Sequence, residues 1–76
     1  MKYRVDILKL KSTMILEGFN TIGDFAQALG VTRNTVSAVF NGKNPTYSVM
    51  CAMAEKLELT TEKAAEIFFA CDLRIA

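Results

Sequence analysis

Between positions 32 and 43 the chain carries Thr32, Arg33, Asn34, Thr35, Ser37, Asn41 and Lys43, hydroxyl, amide and basic side chains interleaved with apolar ones. Such groups can hydrogen-bond to planar bases and to phosphate. Arginine can donate two parallel bonds to guanine, asparagine can donate to and accept from adenine, and a hydroxyl serves a base or a phosphate. If a helix starts after Thr32, its first turns present Arg33, Asn34, Thr35 and Ser37 as candidate base contacts. Thr32, Asn41 and Lys43 bracket that helix as candidate phosphate contacts, which position a ligand without reading its sequence. An arginine at a helix start opposes the helix dipole and gains nothing locally, so its presence favours an external partner over mere solvation.

Holding these groups requires two short amphipathic helices and a tight turn, and the stretch from Phe25 to Lys43 has that form. Ala26 lies four residues before Gly30 and Val36 six residues after it, so a small side chain meets a branched one where two steeply crossed helices touch. Gly30 can take the positive φ that ends the first helix, and Thr32 can cap the second. Ala26, Gly30 and Val36 are therefore assigned to the turn itself, within a helix-turn-helix motif at about 22–41. The second helix of such a motif enters the major groove of DNA.

The remaining chain reads as three further helices. Ile7, Leu10 and Met14, with Leu8 and Ile15 beside them, predict a helix from about Arg4 to Glu17, closed by Gly18. Thr21 caps the next, with Ile22, Phe25 and Leu29 inward. Val36, Val39 and Phe40 point the third into the core, and it stops at Asn41-Gly42. After Asn44-Pro45, Thr46 or Ser48 starts a fourth helix lined by Val49, Met50, Met53, Ala54 and Leu57. Thr60 or Thr61 starts a fifth, whose apolar surface is Ala64, Ala65, Ile67, Phe68 and Phe69. No segment alternates with period two, so the expected class is all-α, a compact five-helix bundle with no sheet. No internal repeat is expected.

With 76 residues and a hydrophobic share of 51%, the chain is expected to form one domain over 1–76, with little room for an enzyme cleft. The two serines considered as nucleophiles, Ser37 and Ser48, have no histidine to activate them, and no acid and base are paired, so no enzyme is expected. Cys51 and Cys71 read as reduced core residues, and two thiols without histidine make no closed zinc site, so neither metal nor cofactor is expected. Met14, Met50 and Met53 read as core filling. No apolar run reaches membrane-spanning length and no secretory leader is evident, which implies a cytoplasmic protein with no membrane partner. The formal charge is only +1, yet it is uneven: residues 1–43 hold six bases and three acids, the remainder three bases and five acids. Phe68, Phe69, Leu73 and Ile75 crowd apolar groups at the C-terminal end and are candidate homodimer contacts. No small-molecule ligand is implied.

The order Ala26, Gly30-Val31-Thr32, Val36-Ser37, then Asn41-Gly42-Lys43 resembles the helix-turn-helix family of phage Cro and repressor proteins, the XRE family. The resemblance covers about residues 5–70, and the ending Ile67-Phe68-Phe69-Ala70 is similar to small phage- or prophage-associated members. It implies a lambda-repressor-like five-helix domain that regulates transcription by binding double-stranded operator DNA, pseudo-palindromic in sequence, as a homodimer. Arg33, Asn34, Thr35 and Ser37 would contact bases or nearby phosphates. Two features depart from the family: Ile22 stands where a phosphate-clamping glutamine is common, and Ala38, Val39 and Phe40 replace basic residues common after the motif serine. Each lost ionic contact lowers the salt dependence of binding by a slope of about one. These departures, with the low charge, fit an alternative, a protein-interaction module of antitoxin-like or anti-repressor type that keeps the fold with weak DNA affinity.

Overall fold

The computed structural model describes residues 3–71. In chain order these form β1 (Tyr3–Arg4), α1 (Ile7–Leu16), α2 (Ile22–Leu29), α3 (Arg33–Phe40), α4 (Tyr47–Lys56), α5 (Thr61–Phe68) and β2 (Ala70–Cys71). The class is all-α, with five helices in the expected order.

Each helix starts with the same local device. Asp6, Thr21, Thr32, Thr46 and Thr60 are extended, and each side-chain oxygen accepts the backbone N–H three residues on. Each such bond satisfies an N–H group that the helix cannot, and its loss typically costs about 1 kcal/mol.

The first four helices also share one way of ending. The N–H groups of Phe19, Val31, Lys43 and Leu59 reach back five residues to the carbonyls of Met14, Ala26, Ala38 and Ala54, at 2.9–3.1 Å. The residue before each closes a second, inner bond, and stands in the left-handed region. Paired closures of this kind require positive φ, which glycine supplies most cheaply. Glycine fills the place in three cases, Gly30 at φ 76° among them, and Glu58 at φ 53° fills the fourth. The turns Gly30-Val31-Thr32 and Glu58-Leu59-Thr60 are thus one structure used twice, a local repeat concealed by the exchange of Gly for Glu.

These closures set the helices around one core. Leu10, Phe25, Val36 and Met53 are its most fully enclosed large side chains, one from each of the first four helices, and α5 adds Ile67 and Phe68. Ala26 is also buried, at 2% exposure, which places the small residue of the motif where α2 and α3 pack. The Phe19 and Phe25 rings lie 5.3 Å apart, tilted by 41°.

Several expectations are corrected. Helix α1 begins at Ile7 rather than near Arg4, because Asp6 caps it and donates its own N–H to the Ile67 carbonyl at 2.7 Å. Arg4 instead lies in an antiparallel ladder, Tyr3 opposite Cys71 and Arg4 opposite Ala70, so the expectation of no sheet needs amending at this one place. Two residues per strand are too few to create a periodic signal. Leu8 and Ile15 are exposed, as is Leu16, since α1 has apolar residues all round and only Leu10 and Met14 are buried. Ala65 is exposed too. Cys51 is an exposed free thiol on α4, not a core residue. Phe68 is 5% exposed and belongs to the core, so it is withdrawn as a dimer contact, whereas Phe69 is 54% exposed. Leu73 and Ile75 lie outside the described residues.

Candidate nucleic-acid interface

Helix α3 owes its orientation to Val36 and Val39, at 0% and 2% exposure, which anchor one side of it. Since each residue advances roughly 100° around a helix, the opposite side is centred on Asn34 and Asn41, two turns apart. Ser37 and Ala38 flank that line between them. Arg33 lies at one edge of the outward face and Thr35 at the other. Arg33, Asn34 and Asn41 are exposed, while Thr35, Ser37 and Ala38 are half-buried.

Thr32 has a double role at the helix start. Its Oγ1 accepts the Thr35 N–H at 3.3 Å and lies 2.9 Å from Thr35 Oγ1. Where Thr35 is the donor in the second contact, the Thr32 O–H is left to donate outward. Thr35 is then engaged within the protein, which reduces its freedom to read a base.

The side chains of Asn34, Ser37 and Asn41 enter no hydrogen bond among the described residues, so their donors and acceptors remain available to a ligand. No acidic residue occupies the first turn of α3, in contrast to Asp24 in α2 and Glu62 in α5. The positive end of α3 therefore has no carboxylate within its own first turn, a property it shares with α1 and α4.

Lys43 stands out among the four residues that follow a left-handed helix end. Phe19, Val31 and Leu59 pack against the core, while Lys43 is exposed. The motif ordinarily places an apolar contact there. A charged side chain at that place forgoes packing and extends a cation beside the C-terminal end of α3.

An open groove of about 280 Å³ separates α3 from the connection to α4. Ala38, Val39 and Val49 give it an apolar floor, and Asn34, Lys43 and Thr46 form part of its polar rim. Tyr47, at the start of α4, is exposed; a hydrogen bond to Cys51 one turn on, reinforced by repulsion between the two anionic forms, raises the phenol pKa above its ordinary 10.0. Ile22 packs against the core, so its side chain offers no hydrogen bond at the start of α2.

The predicted base-contact and phosphate-contact residues are thus brought to α3 and its two flanks. Sequence reasoning gave Ala38 no functional assignment, because its place beside the groove depends on how α4 packs.

An α2 that buries Phe25 and Ala26, a glycine turn and an α3 with an exposed polar face form a helix-turn-helix. The helix-turn-helix family HTH_3 matches residues 20–63, more than half of the chain and the whole span from α2 into the start of α5. The chain belongs to this XRE-type family of DNA-binding regulators. No curated protein and no solved structure matches it.

Proposed function

We propose that this protein is a sequence-specific transcription regulator of phage Cro or repressor type, which binds operator DNA through α3 and acts by occupying a promoter in the bacterial cytosol. The observation that carries the reading is the unengaged polar line Asn34, Ser37 and Asn41, with Arg33 at its edge, bracketed by Thr32 and the exposed Lys43. Arg33, Asn34 and Ser37 read bases, with Thr35 held in reserve by its bond to Thr32. Thr32, Asn41 and Lys43 hold phosphates. The protein works as a homodimer on a pseudo-palindromic site with half-site centres about 34 Å apart. A body of 37 × 24 × 21 Å is of the right size to set two such helices at that separation. Phe69 contributes to the contact between protomers. A phage or prophage origin fits the Ile67-Phe68-Phe69-Ala70 ending.

Selection from a random-sequence duplex pool, followed by electrophoretic shifts at low and moderate salt, tests this. Recovery of a shared, two-fold symmetric sequence supports it, and binding that is indifferent to sequence at both salt concentrations overturns it.

One observation favours a second reading as a protein-interaction module. Leu8, Ile15 and Leu16 on α1 are 77%, 47% and 82% exposed, apolar side chains that a protein partner could cover. Failure to retain any duplex at low salt would favour that reading.

A further inference from the structure

We infer that Ala38 reads the 5-methyl group of a thymine, one step along the major groove from the base taken by Asn34. The inference rests on the operator-binding reading and adds a base preference that arginine and amide contacts alone do not supply.

Ala38 follows Asn34 by one turn, on the same side of α3, and both border the groove between α3 and the α4 connection. Around it the outward face is polar, with Asn34, Ser37 and Asn41 all offering donors or acceptors. Ala38 offers neither. Its methyl group continues the apolar floor made by Val39 and Val49, so an apolar surface opens between polar rims. Among the base edges exposed in the major groove, the thymine 5-methyl is the one apolar group, and contact with an alanine methyl is its ordinary recognition. The small side chain also lets the base edge approach the helix closely, which a longer residue at this position would prevent. The half-buried state of Ala38 fits a contact made at the mouth of the groove rather than at a fully solvated surface.

The hydrogen-bonding pattern of the helix end holds the backbone in place. The Ala38 carbonyl accepts the Lys43 N–H at 3.0 Å, which closes the end of α3 directly behind the Ala38 methyl.

The test uses the full chain and the tightest duplex recovered from the random pool, with each thymine replaced in turn by uracil, which removes only the methyl group. Burial of one methyl is worth about fourfold in affinity. The expected result is a loss of about that size at one thymine per half-site for the parent chain, and no loss at that position for Ala38→Gly. Circular dichroism of Ala38→Gly confirms that the variant is folded; should it be unfolded, Ala38→Asn replaces it, whose longer amide side chain holds the base edge away from the helix, with the same loss of the thymine preference expected. A uracil penalty that persists in the folded variant, or the absence of a penalty at every thymine, overturns the inference while leaving operator binding intact. Failure to recover any bound duplex overturns both.

Discussion

Lys43 and Ala38 are joined by a 3.0 Å hydrogen bond from the backbone N–H of one to the carbonyl of the other, although their side chains take opposite chemical roles. In the three equivalent closures of the fold, the donor residue turns its side chain into the core. At the end of α3 it turns a cation to the outside. Removal of the Lys43 side chain is therefore expected to leave the helix end intact, since the bond is made by the backbone.

Arg33→Ala is expected to lose about 1 to 3 kcal/mol on the preferred operator and to become indifferent to the base at one position per half-site. Lys43→Ala should weaken all sequences alike and reduce the salt slope by about one. Titrations against the operator and its single-base variants, at several salt concentrations, distinguish the two. Equal weakening of every sequence by Arg33→Ala would reassign Arg33 to phosphate and leave specificity to Asn34 and Ser37.

The two equivalent turns predict opposite responses to substitution. A Cβ placed on Gly30 meets nothing within 4 Å, but the residue stands at φ 76°, so the penalty is conformational rather than steric. Gly30→Val should cost about 1 to 3 kcal/mol. Glu58 already bears that strain at φ 53°, and Glu58→Gly should stabilise the protein by about 1 kcal/mol, the relief of a left-handed conformation less the added freedom of the unfolded chain. Thermal melting reads both, and a drop in melting temperature for Glu58→Gly would contradict the account.

Neighbouring phenylalanines should separate stability from association. Phe68→Ala is expected to cost about 3 to 5 kcal/mol through the cavity it leaves. Phe69→Ala should change monomer stability by about 0.5 kcal/mol or less and shift sedimentation towards the monomer. Unaltered sedimentation of Phe69→Ala, with DNA binding intact, removes Phe69 from the interface.

The exposed Cys51 should react with a thiol reagent in a folded Cys71→Ser chain, at a rate unchanged by mild denaturant. Slow reaction limited by unfolding would return Cys51 to the core. In a Tyr3→Phe background, absorbance titration should place the Tyr47 midpoint above 10.0, and Cys51→Ala should lower it. Because folding raises this pKa, the associated stability is fully present below pH 10.0 and is lost as pH rises through the folded midpoint.

Much of the helical frame was legible because its signals are local. Thr21, Thr32, Thr46 and Thr60 each bond within their own first turn, and Gly18, Gly30 and Gly42 carry their conformational freedom wherever they stand. Glu58 escaped notice because nothing about glutamate announces a left-handed residue. The outward face of α3 followed from Val36 and Val39, but the groove beside it depends on the packing of Val49 from a different helix. On α1 the apolar residues surround the axis, so spacing alone could not separate buried Leu10 from exposed Leu8. The same difficulty hid the exposure of Cys51.

The closures that end α3 are backbone bonds and its cap is the Thr32 side chain, while Asn34, Ser37, Ala38 and Asn41 lend their side chains to none of them. The fold draws on these four positions less than on Val36 and Val39, so exchanges that keep the half-buried Ser37 and Ala38 small should leave the domain folded. On the operator-binding reading proposed above, a combinatorial library confined to these four positions should yield folded variants with altered duplex preference.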